Sequence, residues 1–409
     1  MLAQNLLTLA VVGLAAAQTS TTSSSVCTQS TITIASQADA SSLSGCTTVT
    51  GNIVIPSTAA GTINLDGPQQ IVGDFTVNNA TTLTTLTSSS ITSISGTWKM
   101  LDMTILSTLS FAELTSVGSI DWEALNNLDT LNFPATLSKC DNLLITNTFL
   151  SSLEGINLKT VKVLNVNNNK RLQTFSTQVA NVTGQLNIEA NGNMLNVEFP
   201  NLLTAANMTF RNCSTVSTPS LATVNGSLGY YGNNFQNISA PNLTTVGVKG
   251  QSNSGSLAIV ANGALTMLNF DSLTTVQGAF QIANNTDLQN ITFPALKNIG
   301  GALDFAGNFS TYSVKSLHPR SGSCQRWLQH AINAEIDCSF FKKIQSASIA
   351  GIYTCNGSLA DAKSGVGSGT STSSSSSSSS TAKGAAASYG VNEALVGFSV
   401  VGGLLQMLL

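Results

Sequence analysis

Short runs of alternating apolar and polar residues fill most of the chain, and one frame of them recurs. In this frame an apolar residue is followed by a second after three positions, by Gly after two more, and by apolar residues two and four positions beyond the Gly. The frame occurs at Val179-Val182-Gly184-Leu186-Ile188, Leu221-Val224-Gly226-Leu228-Tyr230, Leu273-Val276-Gly278-Phe280-Ile282 and Leu296-Ile299-Gly301-Leu303-Phe305. Because side chains of a strand point alternately to its two faces, each copy predicts a short strand with one buried face.

The repeat length indicates the fold class. Less complete copies of the frame centre on Gly51, Gly73 and Gly96. Gly51 and Gly301 lie 250 residues apart, and eleven steps over this interval give about 22.7 residues per repeat, within the range of leucine-rich-like repeats. No helical periodicity appears across these units. We therefore predict a mainly β chain in which residues 46–310 form a right-handed parallel β-helix or leucine-rich-like solenoid. The inward-pointing residues are expected to include Ile188, Leu228, Phe280 and Leu303.

Each repeat has a second half that is rich in Asn and contains a Pro. It spans Asn191 to Leu202, Asn233 to Leu243 and Asn284 to Leu296. Asn suits a turn in left-handed geometry, or its side chain hydrogen-bonds neighbouring coils along the stack. The Pro suits a strand edge or corner, where no N–H donor is needed. These features predict turns that separate the strands of each coil.

The ends of a solenoid need caps, because they expose apolar surface and unpaired backbone. Cys27 and Cys46 fit a disulfide in an N-terminal cap. The helical spacing of apolar residues predicts a helix from Ser323 to Ile336 in a C-terminal cap. That cap is expected to contain at least one disulfide among the three cysteines near this end, which are Cys324, Cys338 and Cys355.

The two remaining cysteines, Cys140 and Cys213, are not expected to pair with each other. They are 73 residues apart, which corresponds to three coils, or about 14 Å along the stack. A disulfide requires Cα atoms within about 7 Å. Because the chain has seven cysteines, at least one thiol is free or pairs with another molecule.

The terminal segments predict export and anchoring. An apolar run from Leu6 to Leu14, followed by Ala15-Ala16-Ala17, is typical of a signal peptide. Near the other end, a Ser-rich segment precedes small residues, a polar spacer and an uncharged apolar tail, which is the order of a GPI signal. We expect attachment at Gly384, with Ala382 and Ala385 as alternatives. The predicted segments are a signal peptide (1–17), an N-terminal segment and cap (18–45), solenoid repeats (46–310), a C-terminal cap (311–360), a Ser-rich stalk (361–384) and a GPI-attachment propeptide (385–409).

Composition and sequons agree with an extracellular location. Charged residues make up only 9% of the chain and the net charge is −3, so electrostatics do not favour nucleic acid or anionic lipid as a partner. Eleven N-x-[S/T] sequons behind a signal peptide predict a glycan-coated surface. They are Asn79, Asn181, Asn207, Asn212, Asn225, Asn237, Asn242, Asn284, Asn290, Asn308 and Asn356.

The Leu-x-x-Val-x-Gly strands, the Asn turns and the Phe-Pro-x-Leu segments resemble the L domains of insulin and EGF receptors. Together with the Ser-rich stalk and the GPI tail, they resemble the fungal GPI-anchored cell-wall organisation family that is related to sporulation-specific wall proteins. The resemblance covers roughly residues 27–409. It implies a role in wall assembly and integrity at the outer face of the plasma membrane and in the wall. It supplies no catalytic residues.

Candidate chemistry is sparse. The chain has two histidines, His318 and His330, and their spacing without a third ligand does not make a metal site. No G-x-S-x-G motif is present, although the sequence does not exclude a Ser-His-Asp triad. No cofactor or metal is expected.

Carboxylates and tryptophans leave two alternatives open. Glycoside hydrolysis needs paired carboxylates. The candidate pairs are Asp121 with Glu123 and Glu189 with Glu198. The competing interpretation is that these four carboxylates are solvated residues at the rim of the coils, without a catalytic role. Trp98 and Trp122 are either a sugar-stacking platform or core residues, and their apolar strand register favours the core.

Two functional hypotheses follow from these observations. The first is a non-enzymatic surface protein that binds wall glycans or wall proteins along its solenoid and is held to the membrane by GPI lipid. The second is a carbohydrate-active enzyme that remodels the wall. Carboxylates clustered in one groove would favour the enzyme, whereas a glycosylated rod without such a cluster would favour the binding protein.

Overall fold

The computed structural model describes residues 25–193, 195–251, 254–307 and 309, together with the backbone of three strands at 311–313, 328–332 and 353–356. The predicted signal peptide, stalk and GPI-attachment site at Gly384 lie outside these residues, as do Asn308, His318, Cys324 and Cys338. His330, Cys355 and Asn356 lie in strands of which the backbone alone is described.

The described chain is almost entirely β. Strand accounts for 46% and helix for 3% of it. A 3-10 helix (Ser25–Thr28) and α1 (Gln37–Ser41) are N-terminal. The first strands are β1 (Thr31–Thr33), β2 (Thr48–Thr50), β3 (Asn52–Ile55), β4 (Ala60–Asn64), β5 (Gln70–Val72), β6 (Phe75–Asn78), β7 (Thr82–Ser88), β8 (Ser93–Leu101), β9 (Thr108–Phe111), β10 (Ser116–Glu123), β11 (Asn142–Thr146), β12 (Thr160–Asn167), β13 (Thr174–Ser176), β14 (Asn181–Glu189) and β15 (Asn196–Glu198). The others are β16 (Thr204–Arg211), β17 (Thr215–Ser217), β18 (Thr223–Val224), β19 (Leu228–Tyr231), β20 (Asn237–Ser239), β21 (Thr245–Val246), β22 (Leu257–Val260), β23 (Met267–Asn269), β24 (Thr275–Val276), β25 (Phe280–Ala283), β26 (Asn290–Thr292), β27 (Asn298–Ile299), β28 (Leu303–Gly307), β29 (Thr311–Ser313), β30 (Leu328–Ile332) and β31 (Tyr353–Asn356).

One long parallel sheet defines the solenoid. Eleven successive parallel pairings connect β3 to β28. They correspond to the eleven repeat steps predicted between Gly51 and Gly301, so the predicted parallel β-solenoid is confirmed. The pairings continue from β1 to β3 and from β28 through β30 to β31. The ladder therefore reaches beyond the predicted solenoid bounds of 46 and 310 on both sides.

Register places apolar residues of successive coils side by side in the core. One inward row consists of Ile32, Ile53, Phe75, Trp98, Ile120, Leu143, Leu164, Leu186, Met208, Leu228, Leu257, Phe280 and Leu303. The predicted inward residues Ile188, Leu228 and Phe280 are fully buried. Leu303 is only partly buried and packs against the same core.

Glycines in the frame are required by close backbone contact between coils. Gly278 donates its N–H to the Gly255 carbonyl oxygen at 2.6 Å. A Cβ on Gly278 would lie 2.6 Å from that oxygen, and one on Gly255 would lie 2.1 Å from the Gly226 oxygen. Since no side chain fits there, the frame keeps Gly where strands of successive coils stack.

Buried asparagines form a second ladder at the corner after the long-sheet strands. The first residue of this corner has positive φ, as at Asn168 (59°) and Asn284 (58°). The next residue is buried, and its Oδ1 accepts a backbone N–H of the preceding coil: Asn262 accepts from Asn233 at 2.9 Å. Its Nδ2 donates to a strand carbonyl, as Asn262 does to Tyr230 at 3.1 Å. The ladder consists of Asn169, Asn191, Asn233, Asn262 and Asn285. Both uses of Asn predicted from the sequence are present.

The N-terminal cap covers the first coil. The predicted Cys27–Cys46 disulfide is present. The α1 helix begins with a capping box formed by Ser36 and Asp39. Gln37 of this helix accepts the Asn64 N–H through Oε1 at 2.7 Å and donates Nε2 to the Asn64 carbonyl at 3.1 Å. The cap thereby pairs backbone groups of edge strand β4 that would otherwise be unpaired.

The helix predicted from Ser323 to Ile336 is wrong for its central part, because Leu328–Ile332 is strand β30. Leu328 stands in register with Leu303 of the preceding coil. The exposed edge of β28 offers a full row of backbone hydrogen-bond partners, and this tertiary pairing overrides local helical spacing.

The opposite side of the coil carries shorter sheets with a break between them. One sheet contains β4, β7 and β9, and another contains β13, β15, β17, β20 and β23. Between these two sheets the coils are linked by isolated bridges at Ser110–Asn132, Leu137–Ile156 and Ser152–Thr174. The short-sheet side is therefore interrupted in the middle of the rod, whereas the long sheet continues.

Candidate functional site: a sequon-free belt

The described sequon asparagines lie at the surface of the rod. Seven are exposed and two, Asn181 and Asn212, are partly buried. Some occupy equivalent places in different coils: Asn79, Asn212 and Asn284 stand at the positive-φ corner. Their glycosylation remains a prediction, and these positions agree with it.

Residues 80–180 form a belt without any sequon. The belt contains ten asparagines, none of which lies in an N-x-[S/T] triplet, whereas eight of the 20 asparagines in residues 181–307 do. Asparagine is therefore not rare in the belt; what is missing is the glycosylation signal. If the predicted sites are occupied, these coils present bare protein surface between Asn79 and the coils from Asn181 onward, which carry eight sequons up to residue 307; residues 25–78 contain no sequon either.

The belt also concentrates charge. It holds 13 of the chain's 35 Lys, Arg, Asp and Glu residues within 101 of 409 positions. Three of the four ion pairs among the described residues lie in it: Lys99–Asp121 at 2.6 Å, Lys162–Asp141 at 2.8 Å and Arg171–Asp129 at 3.3 Å. These pairs are about half exposed and contribute little stability. Their charges are thus available to a partner at low structural cost.

An exposed aromatic side chain adds to this surface. Phe149 is 41% exposed, and the Arg171 guanidinium carbon lies 4.3 Å from its ring centroid. Ile105 in the same belt is also 41% exposed. Of these groups, the aromatic ring of Phe149 with the stacked guanidinium of Arg171 is the type that is enriched at protein contact surfaces.

Of the two candidate catalytic pairs, Asp121 and Glu123 share the outer face of β10, whereas Glu189 and Glu198 are separated. Asp121 is paired with Lys99, while Glu123 is exposed at the end of β10. Glu189 lies on the long sheet and is paired with Arg211 at 3.0 Å, whereas Glu198 lies on the opposite short sheet in β15. Two of the four carboxylates are thus neutralised by a cation, and Glu189 and Glu198 lie on different sides of the coil.

Trp98 and Trp122 are core residues and not a surface platform. Both are fully buried, and their ring centroids lie 5.1 Å apart in an edge-to-face contact. Trp98 also packs against Phe75 and Phe111. The core interpretation, which their strand register favoured, is confirmed.

The described ranges contain neither a metal-binding cluster nor a membrane-spanning helix. No group of three or more His, Cys, Asp and Glu side chains there could hold a metal ion. In the same ranges no helix is long and apolar enough to cross a membrane.

The sequence reasoning missed the belt, although its signal is present in the sequence as a gap between Asn79 and Asn181. Only the coil register shows that this gap covers consecutive turns of one rod. A smaller polar cluster outside the belt was also missed. There Glu189 accepts from Asn187 and Arg211, and the Arg211 guanidinium lies 4.4 Å from the Tyr231 ring centroid.

Comparison with known proteins places the chain among fungal surface proteins. It matches no protein-family model and no solved structure. "Protein ecm33" of Aspergillus fumigatus is 38% identical over 362 residues, which cover 87% of this chain and 88% of the relative. "Cell surface GPI-anchored protein" of Arthroderma benhamiae is 38% identical over 63% of this chain and 65% of the relative. "Cell wall mannoprotein PST1" of Saccharomyces cerevisiae is 33% identical over 76% of this chain and 67% of the relative. With this identity and coverage, the chain belongs to the Ecm33 family of fungal GPI-anchored cell-surface and cell-wall proteins.

Proposed function

We propose that the protein is a non-enzymatic organiser of the fungal wall, and that its sequon-free belt contacts wall glycans or wall proteins. The observation that carries this proposal is the absence of sequons from residues 80–180 although ten asparagines lie there. N-glycans are bulky and keep other macromolecules away from the surface they cover. A belt free of them is a part of the rod that a large partner can reach, and it differs from the sequon-free coils before Asn79 in its concentration of charged residues.

Several features support a binding role over catalysis. The belt carries half-exposed ion pairs and the exposed Phe149 side chain. Asp121 and Glu189, from the two candidate catalytic pairs, each contact a cation. No observation on the described residues favours a wall-remodelling enzyme over a binding protein. The predicted stalk and lipid attachment at Gly384 would hold the rod at the outer face of the membrane and within the wall.

A new glycan in the belt tests the proposal. Glu113→Asn creates an Asn-Leu-Thr sequon with Leu114 and Thr115, at an exposed position. Ser272→Asn creates the same tripeptide outside the belt. Both new sequons lie at the same position of the coil as the natural sequon at Asn242. In all three coils the sequon is followed at once by a Thr-Val or Ser-Val pair that belongs to a strand of the long sheet.

We expect cells that carry only Glu113→Asn to be as sensitive to a wall-binding dye as cells that lack the protein. Ser272→Asn should restore normal resistance. Glu113→Gln controls for loss of the carboxylate and should also restore it. Glycan occupancy and surface amount are checked by gel mobility and by surface labelling.

A second belt site extends the test to another corner of the coil. Lys170→Thr completes a sequon at Asn168, whose φ of 59° matches the 58° of the natural sequon Asn284. Full resistance in cells whose protein carries glycans at both new belt positions would reject the belt as the contact surface.

A further inference from the structure

A cavity opens within the belt where the short sheets are interrupted. Its volume is about 390 Å³, and it is lined by residues on both sides of the isolated bridges between the two short sheets. The volume is in the range of small-ligand sites. The lining consists of Thr136, Ser152, Leu153, Glu154, Gly155, Ile156, Asn157, Thr174, Phe175, Ser176 and Gln178.

The lining combines an apolar part with neutral polar groups. Leu153, Ile156 and Phe175 lie at the floor of the cavity, where they are buried in the core and expose only 2–4% of their surface. The other side chains end in hydroxyls and carboxamides, apart from Glu154. No Lys or Arg lines the cavity, so nothing in it would neutralise a phosphate, sulfate or uronate ligand. The chemistry fits a neutral molecule with many hydroxyls.

Hydrogen-bonding groups in the lining are available to a ligand. Within the described residues, the hydroxyls of Thr136, Thr174 and Ser176 make no hydrogen bond. Glu154 is exposed and has no ion-pair partner there. A carboxylate beside hydroxyl and amide groups binds sugar hydroxyls, since it accepts two or more hydrogen bonds in a small space.

Backbone strain at the cavity supports a binding role. Thr136 has φ of +64°, a conformation that is costly for a β-branched residue. Gly155 on the next coil has φ of +94°, where Gly is the natural choice. The other non-Gly residues with positive φ in the described chain all stand at the corner after a long-sheet strand, and Thr136 does not; isolated outliers of this kind cluster at ligand sites. Glycine at position 136 would remove the strain, yet the chain places a threonine hydroxyl there.

We propose that this cavity binds one neutral hexose unit of a wall polysaccharide. This inference rests on the proposed function of the belt and names its ligand class. The hydroxyls of the hexose contact Glu154 and the free hydroxyl side chains of Thr136, Thr174 and Ser176. Anionic polysaccharides are excluded by the lack of a cation in the lining.

The test uses the full-length glycosylated protein, extracted from membranes in detergent, and equilibrium titration with laminarihexaose, mannohexaose and an oligogalacturonate. We expect at least one neutral hexasaccharide to bind and the oligogalacturonate not to bind. Ser176→Trp places an indole in the cavity and should abolish binding. Ser217→Trp is the matched control. Ser176 pairs with Glu198 of the next coil, and Glu198 pairs with Ser217 of the coil after that, so the two serines occupy equivalent positions two coils apart. Both are exposed.

Thr136→Gly separates a ligand contact from a structural role. Relief of strain, less the chain entropy that Gly adds to the unfolded state, should raise the melting temperature by about 1–2 °C. Loss of the hydroxyl should weaken sugar binding by about 3- to 10-fold, the effect of one hydrogen bond. Because this variant is expected to be more stable than the parent, weaker binding could not be ascribed to misfolding.

Two results would overturn the inference: no binding of either neutral sugar, or unchanged binding by Ser176→Trp. If these occur while glycans in the belt still abolish function, the belt contacts a partner other than a sugar in this cavity, and the proposed function stands. If the sugar binds as expected but glycans in the belt leave function intact, the cavity is a hexose site and the proposed function fails.

Discussion

The backbone N–H of Cys213 donates to Oδ1 of Asn233 at 2.9 Å, but the Cys213 side chain offers no carboxamide to the preceding coil. Cys213 therefore occupies a position of the buried asparagine ladder without completing it. An asparagine at position 213 would accept a hydrogen bond from the backbone N–H of Asn191. Within the described residues that N–H has no hydrogen-bond partner. The ladder is thus interrupted between Asn191 and Asn233.

Cys213→Asn is expected to stabilise the fold by completing the ladder. One added buried hydrogen bond contributes about 0.5–1.5 kcal/mol, which in a solenoid of this size corresponds to a rise in melting temperature of about 1–2 °C. Because the change also creates a sequon with Thr215, parent and variant are compared in a Thr215→Ala background by thermal unfolding. A lower melting temperature would mean that the thiol fits this position better than a carboxamide.

Asn262→Ala should have the opposite effect. Asn262 accepts the Asn233 N–H and donates to the Tyr230 carbonyl, and all three groups are buried. Each buried group left unpaired costs about 1–3 kcal/mol, so we expect a loss of at least about 2 kcal/mol in the free energy of unfolding. Asn234→Ala is the matched control, because Asn234 is exposed beside Asn233 in the preceding coil, and should change stability by less than about 0.5 kcal/mol. Equal effects from the two variants would contradict the ladder as a stabilising element.

The buried thiols should make the fold less stable in alkali. The structure leaves Cys140 and Cys213 unpaired, in agreement with the sequence prediction, and burial raises the pKa of each to about 12. An unfolded thiol titrates near pH 8.5, so the stabilisation is fully present below that pH and is lost as the pH rises toward 12. The expected loss is about 1.4 kcal/mol per thiol per pH unit.

Urea unfolding between pH 7 and 11 measures this effect, with a Cys140→Ser, Cys213→Ser double variant to subtract the titration of Lys and Tyr. The parent should lose stability faster than the variant above about pH 9. Cys140 and Cys213 in the native protein should also resist iodoacetamide at pH 8 and react only after unfolding. Parallel stability curves for the two proteins would refute the raised thiol pKa values.

Truncation after Ala382 tests whether anchoring is part of the function. We expect the truncated protein to fold and to appear in the medium, because the described solenoid ladder ends at Asn356. Cells that make only this form should be as sensitive to wall stress as cells that lack the protein. Full rescue by the secreted form would reject anchoring and leave a diffusible binding protein.

The sequence by itself determined the repeat architecture. The alternation around Gly184, Gly226 and Gly278 specifies one buried strand face per coil, and in a solenoid each coil must be completed by its neighbours. Local pattern and global fold therefore carry the same information, which is why coil count, inward register and the N-terminal disulfide could be read from residues alone.

Tertiary structure decided the features that depend on what lies one coil away. Leu328 joins a strand although its surroundings have helical spacing, because the edge of β28 supplies backbone partners that no local pattern contains. The carboxylate of Glu189 is paired because Arg211 lies on the next coil. Likewise, the gap between Asn79 and Asn181 becomes a belt, and Thr136 and Ser176 line one cavity, only when coils stack. Residues about one repeat apart in sequence become neighbours at strand spacing in space, and only the completed stack brings them into contact.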